Sequence, residues 1–277
     1  MKTNAIVRIV IYTLVVLLLV GLLLVGLGIG QFVIRFGSAS GSYITGSGSA
    51  DAADIRNLKI EWPAGSIKIA PSDTDQITFS EEGNAGEDSR MVYDIDGSTL
   101  TIRCTKPGFR IGFFSNPVKN LTVYVPADWQ CSRLEINAAS ATLDAETLNA
   151  DKVKINSASG ECGFRNCTIG ELSIDTASGS IRYTGTLDTL DCNAASVSVT
   201  AIFDNVPESI EMDSLSGDLD ITLPSDCAFR VSMDTMSGRF HSDFPTDSVN
   251  GAYTYGTGGC RIDMDSMSGD ITIRKGE

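Results

Sequence analysis

A serine that returns about every 19 residues constrains the fold of this chain more than any other feature. It recurs with steps of 19, 19, 18, 20, 21 and 31 residues, at Ser140, Ser159, Ser178, Ser196, Ser216, Ser237 and Ser268. The period is too short for a propeller blade, and the repeat has no leucine-rich or helical-repeat pattern. It therefore indicates stacked copies of one short unit, none of which can bury its apolar face alone.

Other columns of residues keep a fixed distance from this serine. Aliphatic residues stand six positions before it, at Leu134, Val153, Leu172, Leu190, Ile210, Val231 and Ile262. Asn or Asp stands three positions before it, at Asn137, Asn156, Asp175, Asn193, Asp213, Asp234 and Asp265. Further apolar residues stand four before and three after, and Gly follows the serine in five copies. Each copy thus reads as a strand, a tight corner and a second strand, with one face of each strand buried.

These columns predict an all-β fold, a β-solenoid (β-helix) with coils of about 19 residues. Like residues would stack on like residues between coils, so that aliphatic side chains form internal ladders. A sandwich of short hairpins is the alternative, but a sandwich does not need identical columns. We expect regular repeats over 134–277.

The segment before the regular repeats is less uniform. Leu58–Ile69 fits as an upstream copy, with Ala64 in the serine column. Alternation predicts further strands at Gln76–Ser80, Ser98–Arg103 and Asn120–Pro126, with loops at 81–90 and 105–117. We interpret 54–133 as irregular first coils, and Gly251–Gly259 as a loop inserted in the last repeat.

The N-terminal segment has a different character from the rest. The 26 residues Ile9–Ile34 carry no charge and as a helix would span about 39 Å, enough to cross a hydrocarbon core of about 30 Å. Basic residues precede this span, which favours a cytoplasmic N-terminus and an extracytoplasmic body. We predict a cytoplasmic stub and transmembrane helix over 1–36 and a Gly/Ser-rich linker over 37–53. A signal peptide cleaved near Gly48–Ala50 is the alternative.

Composition excludes several classes of function. The formal net charge is −14, and removing Lys2, Arg8 and Arg35 leaves 18 basic against 35 acidic residues, or −17 for the ectodomain. Nucleic acid is therefore not expected as a partner, because phosphate binding needs a basic patch. The single histidine, His241, excludes a mechanism with two imidazoles, and alternation points it outward.

The motifs together resemble the DUF4097 family, whose members are described as adhesins. The resemblance rests on the apolar N-terminal span, on Val123–Pro126, and on the repeats Ser216–Ile221 and Ser268–Ile273, which read S-G-D-[IL]-x-[IV]. It covers roughly residues 55–274. It implies a bacterial envelope protein with a β-solenoid, linked to adhesion or envelope-stress sensing, and it implies no catalytic residues.

The Asn/Asp column is the main candidate for chemistry. Stacked coils would bring Asp213, Asp234 and Asp265 close enough for a divalent cation site, since Ca²⁺ takes several oxygen ligands. Asn occupies this column in three copies. This favours a structural role in which the side chain closes the corner by bonding backbone N–H groups. We therefore assign no metal, cofactor or catalytic residues.

The cysteines have two interpretations. Cys162 and Cys192 replace aliphatic residues in inward columns and would pack as small apolar side chains. A disulfide between Cys162 and Cys167 is the alternative, since an extracytoplasmic location permits one.

The expected function is that of a non-enzymatic, membrane-anchored extracytoplasmic protein. Its partners would be the membrane through its N-terminal helix, a cell-wall polymer or envelope protein, and a second copy of itself. A carbohydrate-active β-helix enzyme, a polysaccharide lyase or hydrolase, is the alternative, with Asp218, Asp220 and Arg239 as the nominated cluster. A third hypothesis is a sensor that passes envelope stress to a cytoplasmic partner.

Overall fold

The computed structural model describes residues 43–83, 90–104, 119–249 and 251–276. The predicted transmembrane helix at 1–36 and most of the predicted loops at 81–90 and 105–117 lie outside these ranges. Within the described ranges there is no helix long and apolar enough to cross a membrane. The described chain is all β, as predicted, and its strands join in one curled 19-stranded sheet.

The strands of the N-terminal half are β1 Ile44–Thr45, β2 Gly48–Asp51, β3 Asn57–Glu61, β4 Ala64–Ser72, β5 Gln76–Glu82, β6 Val92–Asp96, β7 Thr99–Arg103, β8 Lys119–Pro126, β9 Gln130–Asn137 and β10 Ser140–Glu146. Those of the C-terminal half are β11 Asn149–Phe203, β12 Ser209–Ser216, β13 Leu219–Leu223, β14 Phe229–Ser237, β15 Phe240–Ser242, β16 Asp247–Val249, β17 Ala252–Tyr255, β18 Cys260–Ser268 and β19 Ile271–Lys275. The long β11 runs through several coils and includes their corners, where Gly160, Asn166 and Gly179 have positive φ.

The repeated units stack in parallel and in the register that the serine column predicts. Ser140 lies beside Ser159, and Ser196 lies beside Ser216. The strands before the corner pair in parallel with one another, and so do the strands after it. Hairpins of a sandwich would pair antiparallel, so this pairing excludes the sandwich alternative.

The aliphatic columns form the core. The residues six before the serine are all at most 2% exposed: Leu134, Val153, Leu172, Leu190, Ile210, Val231 and Ile262. A third side of the coils is lined by Leu148, Cys167 and Leu187, which are also buried. Each such side chain contributes on the order of 1.5–3 kcal/mol as an upper estimate, and the coils on either side supply the burial.

At the C-terminal end the coils do not stack in sequence order. β18 lies between β12 and β14, so that Met264 is beside Met212 on one side and beside Met233 on the other. The chain leaves the coil of Ser216, forms the outermost coil with β14 and β15, and then returns to fill the position between them. The last copy in sequence is therefore the second from the end in space.

The N-terminal end repeats this arrangement. β3 lies between β7 and β9, with Leu58 beside Leu100 and Leu134. β4 likewise lies between β8 and β10, with Ile67 beside Leu121 and Leu143. The predicted strands of this segment are confirmed, but they form inner and outer coils in an order that differs from the sequence.

Antiparallel strands cover the two ends of the stack. β6 covers β7, β5 covers β8, and β1 and β2 pair with β6 and β5. The folded body thus begins earlier than the boundary at residue 54, because β1 and β2 lie within the predicted linker 37–53. At the other end β16 and β17 form a hairpin, and β17 pairs with β14. The predicted loop Gly251–Gly259 is therefore wrong in part, since Ala252–Tyr255 is a strand, and Glu81 belongs to β5.

Candidate functional site

The Asn/Asp column lies on the outward face of the strands before the corner and runs the length of the stack. In spatial order its members are Arg103, Glu61, Asn137, Asn156, Asp175, Asn193, Asp213, Asp265 and Asp234, and we call this set the corner column. The sequence prediction that the aspartates share one corner is confirmed. Their order differs, because Asp265 and not Asp234 is the middle member of the last three.

Donors and acceptors are matched over most of the corner column. Arg103 Nε donates to Glu61 Oε2 at 3.2 Å. Asn156 Nδ2 donates to Asn137 Oδ1 at 2.9 Å, and Asn193 Nδ2 donates to Asp175 Oδ1 at 3.3 Å. The side chains bond one another between coils, and this differs from the expected corner-closing bonds to backbone N–H groups. Local bonds at the corners are made instead by hydroxyl groups: Ser157 and Thr176 donate to the backbone carbonyl oxygens of Ser159 and Ser178, and Thr235 accepts from the backbone N–H of Ser237.

The last three members of the corner column have no such match. Among the described residues, Asp213, Asp265 and Asp234 accept no hydrogen bond and pair with no cation, although they lie on adjacent strands. Partial burial raises the pKa of both Asp213 and Asp265, and repulsion from the neighbouring carboxylates raises it further. Three carboxylates in succession therefore end the column with uncompensated negative charge.

A second acidic column lies two residues earlier on the same face. Asp191, Glu211 and Asp263 are neighbours in register there. Partial burial raises the pKa of both Asp191 and Asp263. Repulsion from neighbouring carboxylates adds to the shift at Asp191, whereas the charge of Arg261 opposes it at Asp263. Arg261 supplies the local cation by pairing with Glu211 and, at 3.1 Å, with Asp263.

The carboxylates do not form a metal centre in the described part of the chain. No three of its His, Cys, Asp or Glu side chains converge as the ligands of a metal ion would. The ladder instead spaces its carboxylates along the stack, at about 4.8 Å per strand. The arrangement offers a linear row of acceptors to a partner and no single coordination point.

We expect Asp265→Asn to stabilise the protein at pH 7 and to lose that advantage in acid. The amide would donate to Asp213 or Asp234 as Asn193 does to Asp175, and removing a like charge is worth about 1 kcal/mol, or roughly 2–4 °C in the unfolding midpoint. Because the folded pKa of Asp265 is raised, the wild type itself gains stability as pH falls from neutral towards 3.8, where the unfolded carboxyl also binds its proton. Thermal unfolding at pH 7 and pH 4.5 measures this.

The exposed Asp188, which lies outside both acidic columns, provides the matched control. Asp188→Asn should show no gain that disappears in acid. An Asp265→Asn variant that is less stable than the wild type at pH 7, or that keeps the same gain at pH 4.5, would contradict the repulsive ladder.

The residues nominated for catalysis, Asp218, Asp220 and Arg239, are each engaged by a neighbouring coil. Asp220 accepts two hydrogen bonds from Arg274, at 2.8 and 2.9 Å. Arg239 pairs with Asp270 at 3.0 Å, and Asp218 accepts a hydrogen bond from the backbone N–H of Asp270 at 2.9 Å. These exposed contacts tie neighbouring coils together, and Asp218 and Arg239 both bond Asp270.

The thiols and the histidine lie where the sequence predicts. Cys162 and Cys192 are buried free thiols, and so is Cys167. Burial raises the pKa of Cys162 to about 11 and that of Cys192 to about 12, so both stay protonated at neutral pH and are poor nucleophiles. His241 is outward, with 72% of its side chain exposed and Asp243 as its neighbour at 3.8 Å.

Sequence reasoning missed a buried ionic cluster at the N-terminal end of the stack. Lys119 is fully buried, pairs with Glu81 at 2.5 Å and lies 5.2 Å from the ring centre of Trp62. Arg103 pairs with Asp94 as well as with Glu61. The one available signal was the position of Glu61, which stands in the Asn/Asp column of the upstream copy.

Comparison with protein families agrees with this architecture. The family model Toastrack DUF4097 matches residues 55–187 and again residues 134–274. The chain belongs to this family. The two Toastrack matches overlap over 134–187, within the regular coils, and together they extend from the first inner coil to the last strand.

Solved structures similar to this Toastrack chain come from bacteria of different genera. A "putative cell adhesion protein" from Clostridium sporogenes is 9% identical, with 85% of this chain and 100% of that chain covered and a TM-score of 0.38. A "putative adhesin" from Parabacteroides distasonis is 12% identical, with 86% and 98% covered and a TM-score of 0.41. A "putative lipid binding protein" from the same organism is 16% identical, with 86% and 98% covered and a TM-score of 0.36. No curated protein sequence matches the chain.

Proposed function

We propose that the protein is a non-enzymatic, membrane-anchored binding protein of the bacterial envelope, acting as an adhesin or in the response to envelope stress. Membership of the Toastrack family fits a non-enzymatic binding role. The observation that carries the proposal is the row of polar side chains that repeats at every coil on the outward faces. Such a row suits many weak contacts with a repeating polymer or with a partner strand.

The proposed anchor is the apolar segment Ile9–Ile34, with the body outside the cytoplasm. The described strands begin at Ile44, and β1 pairs with β6 at the N-terminal end of the stack. The strongly acidic ectodomain supports a body that projects from anionic headgroups.

Binding of the full-length chain in proteoliposomes to isolated cell-wall polymer and to envelope fractions tests the proposal. We expect retention that empty proteoliposomes do not show. No retention on any fraction would contradict a binding role. Turnover of acidic or neutral glycans that Asp218→Asn abolishes would favour the enzymatic alternative, and a concentration-dependent increase in sedimentation coefficient would identify self-association.

A further inference from the structure

We propose that the C-terminal edge of the stack, formed by Met233–Ser237 of β14 and by β15, binds an extended basic segment of a partner protein by strand addition. The inference deepens the proposed binding function and rests on it. It names the place on the fold where the partner pairs and the chemistry that the partner brings.

The first observation is that the two ends of the stack are covered unequally. At the N-terminal end β6 pairs with all five residues of β7, and β5 pairs with β8 from Asn120 to Tyr124. At the C-terminal end β17 pairs only with Phe229–Ser232 of β14. Within the described residues no strand lies on the outer side of Met233–Ser237 or of β15. An uncovered edge of this kind is a template for an added strand.

The open edge presents backbone groups in the right direction. Ala228 O accepts a hydrogen bond from Cys260 N on the inner side, and β17 pairs with Phe229–Ser232 on the outer side. Because successive residues of a strand point their N–H groups to alternate sides, Met233 and Thr235 direct theirs to the open side. These two residues are the expected donors and acceptors for a docking strand.

The second observation is the charge at this edge. The corner column begins with a cation, since Arg103 pairs with Glu61, and it ends with Asp213, Asp265 and Asp234 without a donor. A strand added next to β14 would place its own residue beside Asp234, at about 4.8 Å. A Lys or Arg there would complete the column, whereas a second copy of this edge would bring another carboxylate. The charge therefore favours a basic partner over self-association.

The third observation is an exposed apolar pair on the same face. Met236 is 83% exposed, and Met267, which follows Ser266 opposite Thr235, is 43% exposed. Met236 stands two residues after Asp234, so the two side chains point to the same face of the strand. The docking strand is thus expected to carry a cationic residue and an apolar residue two positions apart.

Two labelled peptides test the proposal with the full-length chain in detergent. The first has the sequence Thr-Val-Lys-Val-Leu-Val-Thr, and the second has Glu in place of Lys. Fluorescence anisotropy should show at least tenfold tighter binding of the lysine peptide. Asp234→Lys should weaken that binding at least tenfold and Met236→Ser severalfold, whereas the matched control Asp188→Lys should stay within twofold of the wild type.

Amide hydrogen exchange locates the contact. The lysine peptide should slow exchange at Met233 and Thr235, a result that diffuse charge attraction would not produce. Equal binding of the two peptides, no effect of Asp234→Lys, or unchanged exchange at both amides would overturn the proposal, as would a dimer that occupies this edge. If the chain is retained on envelope fractions but fails these tests, the strand-addition site is wrong and the binding function stands.

Discussion

Lys119→Met is expected to lower the free energy of unfolding by about 3–5 kcal/mol, the cost of removing one partner of a buried ion pair. The Lys119 ammonium is fully buried, pairs with Glu81 and donates to Cys104 O at 2.5 Å. Met has similar volume, so little packing is lost. The Glu81 carboxylate, which is only 14% exposed, would lose this cation. Equilibrium urea unfolding followed by circular dichroism measures the change.

An exposed pair provides the matched control. Lys152 pairs with Glu171 at 2.6 Å, but its side chain is 57% exposed, so Lys152→Met should cost no more than about 1 kcal/mol. The double variant Lys119→Met with Glu81→Gln should recover part of the lost stability, because it removes the uncompensated charge. Equal costs at Lys119 and Lys152 would show that the buried pair contributes no more than a surface pair.

The Lys119–Glu81 pair belongs to a polar cluster that links two coils at the N-terminal end of the stack. Lys119 opens β8, and Trp62 Nε1 donates to its carbonyl oxygen at 3.0 Å. Arg103 closes β7 and holds Glu61 of the neighbouring inner coil. The cluster thus joins the outermost coil to the inner one at the point where the aliphatic ladders run out.

The regular coils could be predicted from sequence because burial enforces them. A strand whose alternate residues face a core cannot shift by one residue without exposing its apolar side chains, so the columns of Leu134 and Leu143 fix the register. The corner column could be predicted for the same reason, because each of its members comes one residue after an inward-facing side chain.

The order of the coils at the two ends could not be predicted in this way. Every copy carries the same aliphatic columns, so any copy packs on any other, and the columns alone do not tell an inner coil from an outer one. The step of 31 residues before Ser268 was the sequence feature that indicated a change in the order of the coils, but it was interpreted as a loop insertion. In the structure those extra residues carry the chain through the β16–β17 hairpin and back into the stack.

The candidate site could likewise be predicted only in part. The sequence placed Asp213, Asp234 and Asp265 on one corner but not in their spatial order, because that order depends on β18 lying between β12 and β14. It also missed Arg103, whose coil has no serine corner to align on. The unequal covering of the two ends, on which the proposed docking edge depends, is a property of the pairing and has no counterpart in the repeat.

Gly217→Ala is expected to cost about 2–5 kcal/mol, because the corner leaves no room for a Cβ atom. Gly217 follows the corner serine, has φ +147°, and a Cβ built on it would lie 1.7 Å from Val197 O of the adjacent coil. The left-handed backbone costs about 1–2 kcal/mol for a residue other than glycine, and forcing apart two packed coils adds about 1–3 kcal/mol. Urea unfolding measures the sum.

Gly46→Ala separates the two contributions to this cost. Gly46 also has a positive φ, of +98°, but a Cβ there meets no atom within 4 Å, so only the backbone cost of about 1–2 kcal/mol is expected. Ala141 and Val197 replace the glycine in two other corners, and neither has a positive φ. Those corners therefore take another backbone conformation. If Gly217→Ala cost no more than Gly46→Ala, the corner of Ser216 would be able to relax in the same way, and close approach of the coils would not be the reason for its glycine.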